Sequence, residues 1–108
     1  MRYIIPTKLV GVSFKNADGI DRQELIKLLK PEDILVVEHE LHNPYDSNSH
    51  VVKSKGRILG HLSRSLAEDI SKKISSGEKI IGIKGFKVTG NEPKKTAGVN
   101  IELEMERQ

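Results

Sequence analysis

The chain has no cysteine and no tryptophan among its 108 residues. Without cysteine there is no disulfide, no thiol nucleophile and no thiolate zinc site, a usage that fits a cytoplasmic protein. Aromatic residues are scarce: Tyr3, Phe14, Tyr45 and Phe86 are the full set, so the core must be aliphatic. No apolar run approaches the ~18 residues of a membrane span, and no contact with a membrane is expected. The start, MRYIIPTKLVGV, lacks an apolar h-region and a small-residue cleavage site, so no signal peptide is expected. There is no Walker-type phosphate loop, no H-E-x-x-H and no G-x-S-x-G. The glycines of GIKGF fall inside a strand-like stretch and do not open a helix, which excludes a dinucleotide fingerprint. Nothing positive for catalysis is left, and no cofactor is expected.

Charge is plentiful but unevenly placed. Residues 53–95 carry eleven Lys or Arg against four acids, while the remaining chain carries seven against eleven, within an overall balance of +3. A basic half points to a polyanionic partner; a solvated lysine-rich surface is the plainer alternative.

The chain reads as one domain over residues 1–108. Leu9 to Phe14 is β-prone. Asp21 has the placing of an N-cap, and Leu25, Leu28 and Leu29 follow at helical spacing, giving a short helix to about Lys30, stopped by Pro31. Residues 34–41, 51–53 and 57–62 read as strands. Ser63 can cap a second helix whose apolar face is Leu66, Ala67, Ile70 and Ile74. Residues 80–88 form a strand loosened by Gly82 and Gly85, which predict bends or bulges. Gly90 to Lys95 is a polar hairpin connection. Val99, Ile101, Leu103 and Met105 then alternate with polar residues, the mark of a strand with one wet face. The expectation is a mainly β protein with two short helices: a small, strongly curved sheet or barrel of about six strands.

One stretch resists a plain reading. ELHNPYDSNSHVV, residues 40–52, places Tyr45 between Pro44 and Asp46 in a polar loop. Aromatic faces stack on unpaired bases while Lys and Arg follow phosphates. Alternatively the Tyr45 ring packs on the barrel end, and the Asp46 carboxylate closes an Asx-turn onto a backbone N–H two residues on. His39, His42, His50 and Asp46 could assemble a metal site only if the loop folded them together. That leaves a metal-dependent hydrolase as a distant alternative.

LVGVSF, HNPYDSNSHVV and ILGHLSRSLAEDISKKISSG, in this order, resemble the layout of the HIRAN domain, found at the N-terminus of certain helicases and as a free-standing bacterial or phage protein. The matching positions are Asn43, Pro44, Tyr45, Asp46, Asn48, Gly60, His61, Leu62, Leu66, Ala67 and Gly77. The resemblance implies an OB-like (or SH3-like) barrel that holds the 3′ end of single-stranded DNA. It implies that Tyr45 stacks on the terminal base and that Asp46 accepts a hydrogen bond from the 3′-hydroxyl. Phe14, on the first strand, would be a second stacking aromatic and Phe86 a later one. Asn43 belongs to the loop signature. Arg64 matches a phosphate contact and His61 a polar residue at the pocket edge. Where the family carries a basic residue before the strand-one aromatic, this chain has Ser13, with Lys15 just beyond. Helicase or nuclease activity would come from a protein partner. A scaffold of the same fold without DNA binding is the competing reading.

Overall fold

A computed structural model describes residues 1–90, 92 and 95–108. The elements run β1 (Arg2–Lys8), α1 (Arg22–Lys27), β2 (Leu35–His39), β3 (His50–Ser54), β4 (Arg57–His61), α2 (Arg64–Ser75), β5 (Lys79–Thr89) and β6 (Gly98–Glu106). The mainly β composition with two short helices is as expected. The strands form two antiparallel three-stranded sheets, ordered β1-β6-β5 and β2-β3-β4.

β6 is the spine of the first sheet. Val99, Ile101, Leu103 and Met105 are all buried, while Asn100 and Glu102 face water. Ile26, Val52, Leu59 and Ile70 complete an aliphatic core, with Tyr3 and Phe86 only partly packed against it. The expected irregularities in β5 occur: its register against β6 shifts between Ile80 and Gly82 and again between Ile83 and Gly85. Each shift inserts an extra residue and bends the strand. Ser63 caps α2 as read, its Oγ accepting from the Leu66 N–H, and Gly77 at φ +101° closes the helix end. Lys55 and Gly56, both at positive φ, make the tight turn between β3 and β4. The expected hairpin connection from Gly90 to Lys95 includes residues 91, 93 and 94, which lie outside the described residues.

Two expectations are corrected. The first strand is not residues 9–14 but β1, residues 2–8. β1 is the edge of its sheet, where half of the backbone N–H groups make no ladder bond, so a proline such as Pro6 is compatible with it. Phe14 consequently sits in a turn and not on a strand. α1 ends at Lys27, short of Lys30; Lys30 precedes Pro31, whose ring disfavours helical backbone one residue before it.

The two sheets keep separate strand ladders. Among the described residues no strand ladder closes the two sheets. One join exists: Leu9 N–H donates to Val99 O at 2.9 Å, and Val10 then exchanges hydrogen bonds with His61, both at 2.9 Å. The chain thus steps from the β6 sheet to the β4 edge within two residues. Gly60 permits that approach, since a Cβ there would stand 2.8 Å from the Val10 carbonyl oxygen. On the opposite side β2 packs near β5 without pairing to it. Among the described residues this join is the backbone hydrogen-bonded seam between the two sheets.

Candidate functional site

The loop between β2 and β3 is closed at its base by Glu40 N–H donating to Ser49 O at 2.8 Å. Inside it, Asn43 does the local folding. Its Oδ1 accepts from the backbone N–H of Tyr45 at 2.8 Å and of Asp46 at 3.1 Å. Its Nδ2 donates to Glu40 Oε1 at 2.8 Å. Asp46 Oδ1 accepts from Asn48 N–H at 3.0 Å, so the Asx-turn expected as the plainer alternative is present. It uses one carboxylate oxygen; among the described residues Oδ2 has no partner.

The two tyrosines contrast. Tyr3 lies between the Arg107 and Lys73 cations, and its hydroxyl donates to Glu78. Tyr45 is 88% exposed, and no side-chain partner holds its ring among the described residues. The barrel-end packing considered for Tyr45 does not occur. Its backbone is fixed by Asn43, while Arg64, at the start of α2, reaches its carbonyl oxygen with Nη2 at 3.5 Å.

Glu40 is the hub behind the loop. Oε1 also accepts from Ser49 Oγ at 2.9 Å and lies 3.5 Å from His61 Nε2. Burial alone would raise the Glu40 carboxyl, but the bonds from Asn43 and Ser49 and the charge of His61 outweigh it and hold it below its ordinary value. His61 stands between two partners: Nε2 faces Glu40, and Nδ1 is 3.4 Å from Arg22 Nη1. That geometry suits a neutral ring with its proton on Nε2, because Nδ1 must accept from a guanidinium that only donates. Burial first, and then Arg22, push His61 down, against the upward pull of Glu40.

Arg22 extends this chain to the first aromatic. It is 7% exposed, donates from Nε to Asn16 Oδ1 and from Nη1 to Gly11 O, both at 2.8 Å. Its guanidinium lies 5.8 Å from the Phe14 ring centroid, within cation–π range. The Phe14 ring is otherwise largely in water, at 62% exposure. Gly11, at φ +69°, is where Arg22, Phe14 and His61 meet: a Cβ there would lie 3.3 to 3.5 Å from all three.

The structure therefore joins Phe14, Arg22, His61, Glu40, Asn43, Tyr45, Asp46 and Arg64 in one run of contacts. Lys15 follows Phe14 and lines a pocket with Arg22. Phe86 is not part of the run. It stands in β5 opposite Ile101 and lines a groove with Pro6, Thr7 and Lys87. Sequence reasoning assigned no binding role to Arg22 or Glu40. Arg22 reads as an ordinary helix-start residue, since its partners lie 6, 11 and 39 positions away.

The remaining histidines hold the loop from its other side. His39 and His50, opposite each other on β2 and β3, stack with ring centroids 4.9 Å apart. His39 Nε2 donates to Ser47 O at 2.7 Å and His50 Nδ1 to Asn48 O at 2.8 Å. Burial is the largest influence on His50 and lowers it. Among the described residues no three His, Asp or Glu side chains gather as a metal site. No helix there is long and apolar enough to cross a membrane.

These shifts fix the sign of a pH dependence. His50 and His61 titrate below the ordinary 6.5 when folded, so the unfolded chain binds more protons as pH falls through 6.5. Stability should drop over that window, and further below 4.5 as Glu40, held low when folded, gains its proton. Thermal melts from pH 7.5 to 4 should show the midpoint falling from about pH 6.5 downward. A midpoint that is flat or rising between pH 7 and 5 would show that neither ring is held neutral.

A family model described as HIRAN domain matches residues 5–106. No curated protein and no solved structure matches the chain.

Proposed function

The chain belongs to the HIRAN domain family, and on that premise we propose that it is a non-catalytic module that holds single-stranded DNA at a free 3′ end. Nucleic-acid binding is the recognised property of the family. The observation that carries the finer reading is the preorganised loop. Tyr45 is held out in solvent by a backbone locked onto Asn43, and the next residue, Asp46, has one carboxylate oxygen without a partner among the described residues. A ring presented in this way loses little freedom when a base stacks on it. A carboxylate repels a passing phosphate but accepts a bond from a terminal hydroxyl. Side by side, the two groups suit the end of a strand better than its middle.

Phe14 is the second stacking face, steadied by Arg22. His61 sits at the edge, and Arg64 supplies a phosphate contact next to the tyrosine. In this reading Glu40 is a positioning residue that shapes the loop through Asn43. The two sheets are an OB-like barrel opened between β2 and β5. Strand separation or cleavage, where it occurs, belongs to a helicase or nuclease partner.

A scaffold role has one observation in its favour. Between β2 and β5 lies a groove of about 530 Å³ lined by Ile34, Val36, Ile74 and Ile81, all of them exposed. Salt dependence separates the two readings. Lys53 is paired with Glu38 at 2.8 Å and is removed from the cations free to meet phosphates. With about two to four contacts, the slope of log K against log salt should be roughly −1.5 to −3. Arg64→Ala should reduce its magnitude by about 0.7, one contact's worth, for all base sequences alike. Fluorescence-anisotropy titrations at several salt concentrations read this directly. A flat response in the unmutated protein would place the scaffold reading first.

A further inference from the structure

Below the Phe14 turn lies a pocket of about 400 Å³ that none of the loop residues lines. Its walls come from the turn after Phe14 and from the start of β4. They include Lys15, Asn16, Asp18, Arg22 and Arg57. Three cations thus face one small space with a single carboxylate. Asp18 is already engaged, its Oδ1 accepting from Ile20 N–H at 2.9 Å. Among the described residues, none of the three cations lies within ion-pair distance of an acid.

The pocket is built on fixed groups. Asn16 Nδ2 donates to Ile58 O at 2.9 Å, tying the turn to β4, and Asn16 Oδ1 holds Arg22 Nε. Arg22 keeps its Nε and Nη1 hydrogens on protein partners, and among the described residues Nη2 has none. No fully buried side-chain nitrogen there is without a partner. Nη2 therefore reaches accessible space, and this pocket is space that Arg22 lines. A guanidinium fixed in advance with donors to spare is suited to a phosphate oxygen. Lys15 and Arg57 are exposed and add charge at the mouth.

We propose that this pocket is a second nucleic-acid subsite, which takes a backbone phosphodiester of the strand away from its terminal nucleotide. Arg22 is the link between the two subsites. One side of its guanidinium faces His61 and the loop network, and the same side chain walls the pocket. The strand would run from the Tyr45 loop past Phe14 to Lys15 and Arg57. The inference rests on the strand-end reading for the placing of the first nucleotide, but the pocket's own charge can be tested apart from it.

The test uses two 5′-labelled probes with free 3′-hydroxyls, a thymidine dinucleotide and a thymidine decamer, titrated by fluorescence anisotropy. The variant is Lys15→Glu with Arg57→Glu, two exposed positions. The decamer should lose tenfold or more in affinity while the dinucleotide changes less than twofold. The decamer's salt slope should shrink by roughly 0.7 to 1.4, one or two phosphates' worth. If the charge-reversed variant melts below the parent, Lys15→Gln with Arg57→Gln replaces it, with a smaller loss of the same pattern. Equal losses on both probes, or none on the decamer, would overturn the subsite. Tyr45→Ala serves as the control for the other reading and should weaken both probes. If Tyr45→Ala changes neither probe while the charge variant weakens only the decamer, the strand-end reading fails and the pocket stands.

Discussion

An oligonucleotide ending in a 3′-hydroxyl should bind this chain at least about tenfold more tightly than the same strand ending in a 3′-phosphate. The cause is Asp46. Its Oδ1 is committed to Asn48 N–H at 3.0 Å, which fixes the carboxylate in place, and Oδ2 is left to accept a hydroxyl proton. Replacing that hydroxyl with a phosphate removes a charge-assisted bond and puts two negative groups together, a cost of about 1.5–3 kcal/mol. Arg64 beside the loop would offset part of the repulsion, so its removal should widen the preference. Paired anisotropy titrations at one ionic strength measure it. Equal affinity for both ends would leave Asp46 as a turn-former and nothing more.

Tyr45→Ala should cost ~1–3 kcal/mol of binding, roughly 5- to 150-fold in affinity. It should leave the melting temperature nearly unchanged. Removing a buried tyrosine would empty a cavity, but this ring is 88% exposed and the turn is made by Asn43, not by the ring. The comparison with Tyr3→Ala is informative, because that ring is held by two cations and Glu78. Tyr3→Ala should lower stability and spare affinity. If Tyr45→Ala instead lowers the melting temperature and leaves binding intact, the ring is structural.

The parts of the fold legible in the sequence are those whose signals are local. The alternation of Val99, Ile101, Leu103 and Met105 names β6 because each buried residue is two from the next. Ser63 and the apolar face behind it name α2 for the same kind of reason. β1 was hidden by Pro6, which argues against a strand until the strand's edge position is known. Barrel closure was not legible at all. It turns on whether the edges of β2 and β5 meet, and periodicity carries no information about which strands become neighbours. The site divides in the same way. The Asx-turn at Asp46 follows from neighbouring residues, whereas the hold of Asn43 on the loop and the exposure of Tyr45 are seen only in the folded chain. Arg22 and Glu40 act through partners brought in by the join at Val10 and His61 and by the folded loop. No spacing rule announces such contacts.

The most direct test of the account is an amide chemical-shift titration of the isotope-labelled protein with a short single strand carrying a free 3′-hydroxyl. The account predicts the largest shifts at Tyr45, Asp46 and Asn48, with further shifts at Phe14, His61 and Arg64, and little change along β2 and β5. Shifts confined to the apolar groove at Ile34, Val36 and Ile81, or none at the Tyr45 loop at saturating strand, would contradict it.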